Sequence, residues 1–236
     1  MDYTLAFGGI SSADFGAWIT GQGAYNAPAR RYMSVDVPGR NGSLTIKGEP
    51  IFEDLTVVYP AFIPRNFTQN MAGLRAALAQ FSGKQRLADS FHPDEFYMAE
   101  FVEALEVEPA PGAVAGAFEI RFKRDPRRFL LTGEQTTTLN ATGTINNPTK
   151  FNSRPLLRIY GTGTVKIGNN TITITGSDTY IDIDCEMMEA YKGGTNKNQF
   201  VSFSQNDFPV LKPGNNNIVL GGSVTSVEIT PRWWTI

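Results

Sequence analysis

The chain has 236 residues, 41% of them hydrophobic, which is enough to fill a core and to exclude wholesale disorder. Charged residues make up 19%, below the roughly 25% usual in soluble domains, and the formal net charge is −2. That balance gives no global pull toward nucleic acid or anionic lipid, and it suits a chain that hides surface in an assembly as well as a compact monomer. The amino terminus, MDYTLAFGGISSADF, has neither a basic stretch nor a long apolar run, so no secretory signal is expected. No apolar stretch approaches the ~18 residues of a membrane span. The single cysteine, Cys185, excludes an internal disulfide framework. Synthesis in a reducing cytoplasm is expected, and the Asn-x-Ser/Thr patterns at Asn41, Asn66, Asn140 and Asn169 then read as coincidence.

Taken in chain order, most of the sequence has period two. Ser43–Ile46, Leu55–Tyr59, Tyr97–Val107 and Ala117–Arg124 read as strands, and Pro109-Ala110-Pro111-Gly112 between the last two suggests a hairpin. One segment differs. From Asn66 to Ser82 the apolar residues Phe67, Met71, Leu74, Leu78 and Phe81 recur every three or four positions, which predicts an amphipathic helix over 66–82. Asn66 and Gln69 have capping-box spacing, and Gly83 is placed to end the helix. Near residue 133 the composition changes, and Thr136–Asn152, rich in Thr and Asn, reads as a linker or a sheet edge. Beyond it, Val165–Ile167 and Ile172–Ile174 flank Gly168-Asn169-Asn170, a hairpin signal because Gly and Asn tolerate positive φ. Tyr180–Met187, Phe200–Phe203, Asn217–Leu220 and Val224–Thr230 follow at the spacing of a β-sandwich. The fold class expected is mainly β with one helix, in two domains, 1–132 and 133–236.

Four constellations are candidates for chemistry. In YIDIDCEMMEAY (Tyr180–Tyr191), strand geometry puts Ile181, Ile183, Cys185 and Met187 on one side and Asp182, Asp184 and Glu186 on the other. Neighbouring carboxylates would stand about 6.7 Å apart and repel by about 0.6 kcal/mol in water, tolerable on a solvated face. Nothing raises the pKa of one above its neighbour, as acid–base catalysis requires, so a solvated or interface-facing strand leads over a cation contact and over catalysis. The run Arg121–Arg128 holds five bases (Arg121, Lys123, Arg124, Arg127, Arg128) and one acid, whereas Asp94–Glu108 holds six acids, Glu100, Glu103 and Glu106 among them, and no base. The two are candidate complementary halves of an oligomer contact between protomers, or of a pairing between neighbouring strands. His92, the sole histidine, sits in a loop sequence and reads as solvated. Trp233 and Trp234 are a weak carbohydrate-stacking candidate, the alternative being packing in the last strand. No catalytic residue, metal set or cofactor is assigned.

These residues also resemble a known family. VPGRNGSLTIKG (Val37–Gly48), the helix preceded by Ala61-Phe62-Ile63-Pro64, and FEIRFKRDPRRFL occur in the order of the amino-terminal domain of siphophage distal tail proteins. NPTKFNSRPLLRIYGTGTV (Asn147–Val165), YIDIDCEMMEAY, FPVLKPGNNNI (Phe208–Ile218) and ITPRWW (Ile229–Trp234) resemble their carboxyl-terminal galectin-like β-sandwich. The resemblance implies a virion structural protein and not an enzyme. Its amino-terminal domains would form a homo-hexameric ring, one face meeting the tail tube protein and the other the tail-associated hub protein or receptor-binding parts, around a channel for tape measure and DNA. It implies a place at the virion tail tip after assembly in the host cytoplasm, with no sequence-specific nucleic-acid contact and no membrane insertion. The alternative is a carbohydrate-binding adhesion module. The short sandwich strands leave no room for the inserted sugar-binding modules of longer relatives.

Overall fold

The computed structural model describes residues 3–21, 26–32, 34–45, 51–102, 105, 107–109, 112, 114–176 and 179–236. The chain is mainly β and divides into two compact units, Met1–Arg128 and Phe129–Thr235.

The first unit opens with β1 (Leu5–Phe7), β2 (Ile10–Ser11) and β3 (Trp18–Ile19). Two short ribbons follow, β4 (Arg30–Arg31) paired with β7 (Ile51–Phe52), and β5 (Ser34–Val35) paired with β6 (Leu44–Thr45). Then come β8 (Leu55–Ile63), helix α1 (Phe67–Ala79), β9 (Gln85–Asp89), β10 (Glu95–Phe101), β11 (Val107–Pro109) and β12 (Gly116–Arg124). The main sheet runs in the order β2-β1-β9-β10-β12-β8-β3, all neighbours antiparallel where paired, with β11 forming the expected hairpin onto β12. β8 and β12 are its longest strands and pair over nine residues, from Leu55 opposite Arg124 to Ile63 opposite Gly116. Their alternation is strict. Val57, Tyr59, Ala61 and Ile63 point inward with Phe118, Ile120 and Phe122, while Thr56, Val58, Pro60, Phe62, Ala117, Glu119 and Lys123 point out.

α1 covers the inward face with Phe67, Met71, Leu74 and Leu78, the stripe read from the sequence. Burying each such side chain contributes about 1.5–3 kcal/mol, which overrides the modest helix propensity of a segment with Thr, Asn and Gly in it. Phe81 packs on the same core from beyond the helix end, edge-on to Phe7 at 5.4 Å. Both expected caps are corrected. Asn66 has φ 50, in the left-handed region, and makes no side-chain capping bond, and the helix ends at Gln80 rather than at Gly83. A capping box forms instead at the 3-10 turn Ser12–Phe15. There Ser11 Oγ accepts from Ala13 N and Asp14 Oδ2 accepts from Ser11 N.

The second unit takes up the chain within β13 (Arg128–Leu130). It continues through β14 (Thr137–Leu139), β15 (Gly143–Asn147), β16 (Leu156–Tyr160), β17 (Gly163–Ile167) and β18 (Asn170–Ile174). β19 (Tyr180–Asp184), β20 (Glu189–Lys192), β21 (Thr195–Asn196), β22 (Val201–Phe203), β23 (Gly214–Gly222), β24 (Ser226–Thr230) and β25 (Trp234–Thr235) complete it. Two sheets, β14-β24-β16-β19-β20-β21 and β15-β23-β17-β18-β22, face each other across one apolar core of Leu, Ile and Val, the β-sandwich that the spacing predicted. Thr136–Asn152 is no linker, because β14 and β15 lie on the edges of the two sheets. The β17–β18 turn is the expected Gly168-Asn169 pair, with Gly168 at φ +59.

Candidate assembly surfaces

The β4–β7 and β5–β6 ribbons make an arm on which every described residue from Ala29 to Thr45 is exposed. Val35 stands directly opposite Leu44, Tyr32 is 66% exposed and Ile51 59%. The arm's tip holds Pro38-Gly39 and Asn41-Gly42, with both glycines at positive φ (81 and 75), a turn signal that the sequence carried and that a reading by strand periodicity missed. Among the described residues, nine of the thirteen large exposed hydrophobics lie between Tyr32 and Val114, so exposed apolar side chains are concentrated on the first unit, with Met187, Met188 and Val219 exposed on the second.

The outward side of the main sheet forms a second apolar surface. A shallow groove of about 630 Å³ lies over β8 and β12, with Pro60, Phe62 and Ala117 along it and Glu119 and Arg121 at its edge. Thr20 closes one side, donating its backbone N–H to Pro60 O at 2.7 Å.

The basic and acidic segments meet inside the chain. Arg121 pairs with Glu119 (2.8 Å), Arg127 holds Asp125 through Nε and Nη2 (2.9 and 3.1 Å), and Arg128 Nε donates to Glu95 at 2.8 Å. Lys123 sits opposite Glu100 in the β10–β12 ladder. Arg124 is only 2% exposed. Its guanidinium stacks 4.1 Å from the Tyr97 ring centroid and donates to Asn26 O at 3.3 Å, so this base tethers the root of the arm. Burial pushes the Asp125 carboxyl up, but its hydrogen bonds to Arg127 outweigh that and hold it below the usual range. Among the described residues of the predicted contact only Lys123 is exposed, and Glu103 and Glu106 lie outside the described residues.

His92 corrects its expectation. It is buried, its Nδ1 lies 2.9 Å from Asp89 Oδ1, and Asp89 also accepts from Tyr59 OH at 2.7 Å. Burial, then the Asp89 charge, raises the Tyr59 phenol well above its ordinary value. The cluster locks the β9–β10 turn onto β8.

In the second unit the acidic stretch is likewise not a solvated face. β19 ends at Asp184, whose Oδ1 accepts from the amides of Glu186 and Met187 (both 3.0 Å), so Glu186 and Met187 leave the strand into a turn. Asp182 takes two hydrogen bonds from Arg158 (2.7 and 3.0 Å), its partner in the β16–β19 ladder. Asp184, 3% exposed, takes two from Arg232 (2.7 and 2.8 Å). The bond to Asp182 raises the Arg158 pKa. Asp184 is pushed up by burial and pulled down further by Arg232 and the turn amides, for a net lowering. No group of three or more His, Cys, Asp or Glu side chains is arranged to hold a metal among the described residues. Cys185 is fully buried, as its neighbours on the apolar side predicted, and burial raises its pKa.

The two tryptophans divide between core and rim. Trp233 is 5% exposed within the sandwich core, and Trp234 stacks on Phe151 at 4.4 Å while donating Nε1–H to Asn152 O at 2.9 Å. Trp233 thus lies in the core and Trp234 is half-buried at its rim.

The first unit is a helix-backed antiparallel sheet with an arm, and a β-sandwich follows it in the chain. The chain has the fold of SPP1 Dit (gp 19.1), whose crystal structure is described as a paradigm of the hub adsorption apparatus in phages infecting Gram-positive bacteria. The TM-score is 0.75 over 100% of both chains at 13% identity. The phage P2 baseplate in its activated conformation with Ca is a looser likeness, with TM-score 0.48 and 10% identity over 97% of each chain. No family model and no curated protein matches the sequence. The mainly β fold with one helix, as expected from the sequence, is the fold observed.

Proposed function

We propose that this chain is a structural component of a phage tail tip, a distal tail protein. Six copies close through the first unit into a ring that joins the tail tube to the tip and leaves a channel for DNA. The observation that carries this reading is the concentration of uncovered apolar side chains on the first unit, on an arm and on one sheet face, beside a second unit that buries its own core. Surface of that kind favours association, because removing it from water stabilises an assembly by roughly 25 cal/mol per Å² before association costs. The full-length likeness to SPP1 Dit supports the choice of assembly. In this reading the sandwich domains, galectin-like in form, project outward, and neighbours in the tail are the tube protein, the hub protein, the tape measure and receptor-binding parts. The basic segment offers a neighbouring protomer chiefly Lys123, the other bases being engaged within the chain.

Native mass of the purified full chain, alone and mixed with tail tube and hub proteins, tests the proposal. A closed six-copy species is expected. A lone subunit under every one of these conditions overturns it.

A further inference from the structure

An asparagine amide becomes a carboxylate when the backbone nitrogen of the next residue attacks the side-chain carbonyl. The step needs an uncrowded amide, access for base and a segment able to bend, conditions met at loop tips. The chain holds one Asn-Gly step, Asn41-Gly42, and glycine is the residue that gives that nitrogen least steric cover. We propose that Asn41 is a site of spontaneous modification, where ring closure through Gly42 N yields aspartate and isoaspartate in the loop at the tip of the arm. Nothing in this chemistry depends on ring assembly of the chain.

Every residue from Ser34 to Thr45 is exposed, so water and base reach both groups. The described ribbon closes the loop 36–43 with two registered pairs, Ser34–Thr45 and Val35–Leu44, and the Arg40 N–H donates to Val37 O at 3.1 Å before the step is reached. A ribbon that short leaves its loop room to bend. Gly42 has φ +75, and a Cβ there would meet nothing within 4 Å, so the attacking residue stands in open space. Other asparagines lack one of these conditions. Asn152 precedes Ser153, which is fully buried and donates its N–H to Leu211 O at 3.0 Å. Asn215 and Asn216 are held in the β15–β23 ladder, and Asn147 precedes a proline with no N–H. Asn169 precedes Asn170, 8% exposed in β18. Asn206 precedes Asp207, whose charge opposes loss of its own amide proton.

Water is the only reagent. Gly42 N gives its proton to base and bonds to Asn41 Cγ, the Cγ–Nδ2 bond breaks, and the nitrogen leaves as ammonia. Water then opens the succinimide at either carbonyl, giving aspartate with the original peptide bond, or isoaspartate with the main chain rerouted through Cγ and one carbon longer. Asp36 and Arg40 make the loop 36–43 formally neutral, and either product gives it one negative charge.

The purified full chain, held at mildly alkaline pH in water enriched in heavy oxygen, tests this. A lysine-specific protease releases residues 1–47 in one piece, since Lys47 is the first lysine, and fragmentation of that peptide reads position 41. Progressive loss of the Asn41 amide with uptake of heavy oxygen is expected, the product divided between aspartate and isoaspartate, while Asn152, Asn206 and Asn216 keep their amides. Gly42→Ala should slow the loss several-fold by crowding the attacking nitrogen. An intact Asn41 over an interval that converts a synthetic peptide of residues 37–45 overturns the proposal. So does earlier modification of another asparagine, or an unchanged rate in Gly42→Ala.

Discussion

Arg232 holds Asp184 through two parallel hydrogen bonds, 2.7 Å to Oδ1 and 2.8 Å to Oδ2, although its own backbone sits at φ 56 in the left-handed region. The pair joins the end of β19 to the segment after β24, elements 48 residues apart. A strained backbone conformation persists where the surroundings over-determine it, and here the two bonds and the burial of Asp184 do so.

Asp184→Asn should therefore cost the second unit about 3 kcal/mol, because it leaves a partly buried guanidinium without its anion. The midpoint of chemical denaturation, followed by tryptophan fluorescence from Trp233 and Trp234, reads the loss. A change under 0.5 kcal/mol would show that the pair is incidental.

Acid should act through the same group. The folded carboxyls of Asp184 and Asp125 lie below their unfolded value of about 3.9. Their contribution is thus fully present above that value and is lost as pH falls through the lower folded ones. Stability should drop as the pH is taken below about 4, and Asp184→Asn should flatten that drop. Parallel pH profiles for the two proteins would contradict the assignment.

Arg128 and Glu95 can be tested by exchange. Arg128→Glu should destabilise the first unit by about 1–3 kcal/mol by placing two carboxylates together at a part-buried site, and Glu95→Arg in the same chain should restore most of it. Thermal melts of the four proteins close the cycle. If Arg128→Glu leaves the melt unchanged and lowers only the oligomer mass, the residue serves a contact between copies instead.

Gly161 has φ +93, and a Cβ there would fall 2.2 Å from Ser223 O. Gly161→Ala should cost more than about 1 kcal/mol through both the strained conformation and the clash, in a turn that leads from β16 to β17. Equal stability of the variant and the parent by urea titration would refute this.

How much of this was legible beforehand depends on the range of the interaction. The α1 stripe of Phe67, Met71, Leu74 and Leu78, the β17–β18 hairpin and the alternation of β12 are written in neighbouring residues, because helix period, pleat and turn conformation are local properties. The Asn66 cap failed for a local reason, since its backbone lies in the left-handed region and not in the extended one that a capping residue adopts. The acidic stretch failed for a distant one. Asp182 and Asp184 look solvated until Arg158 and Arg232 arrive from 24 and 48 residues away. In the same way Glu95 meets Arg128 across 33 residues, and Trp234 lays its indole on Phe151. Composition and periodicity alone determined that this is a charge-poor, mainly β chain in two parts with one covering helix. Which charges neutralise one another, and which apolar side chains are left for a partner, was settled only when the sheets closed. Those outcomes depend on strands paired across the chain, and strand order leaves no imprint on local sequence.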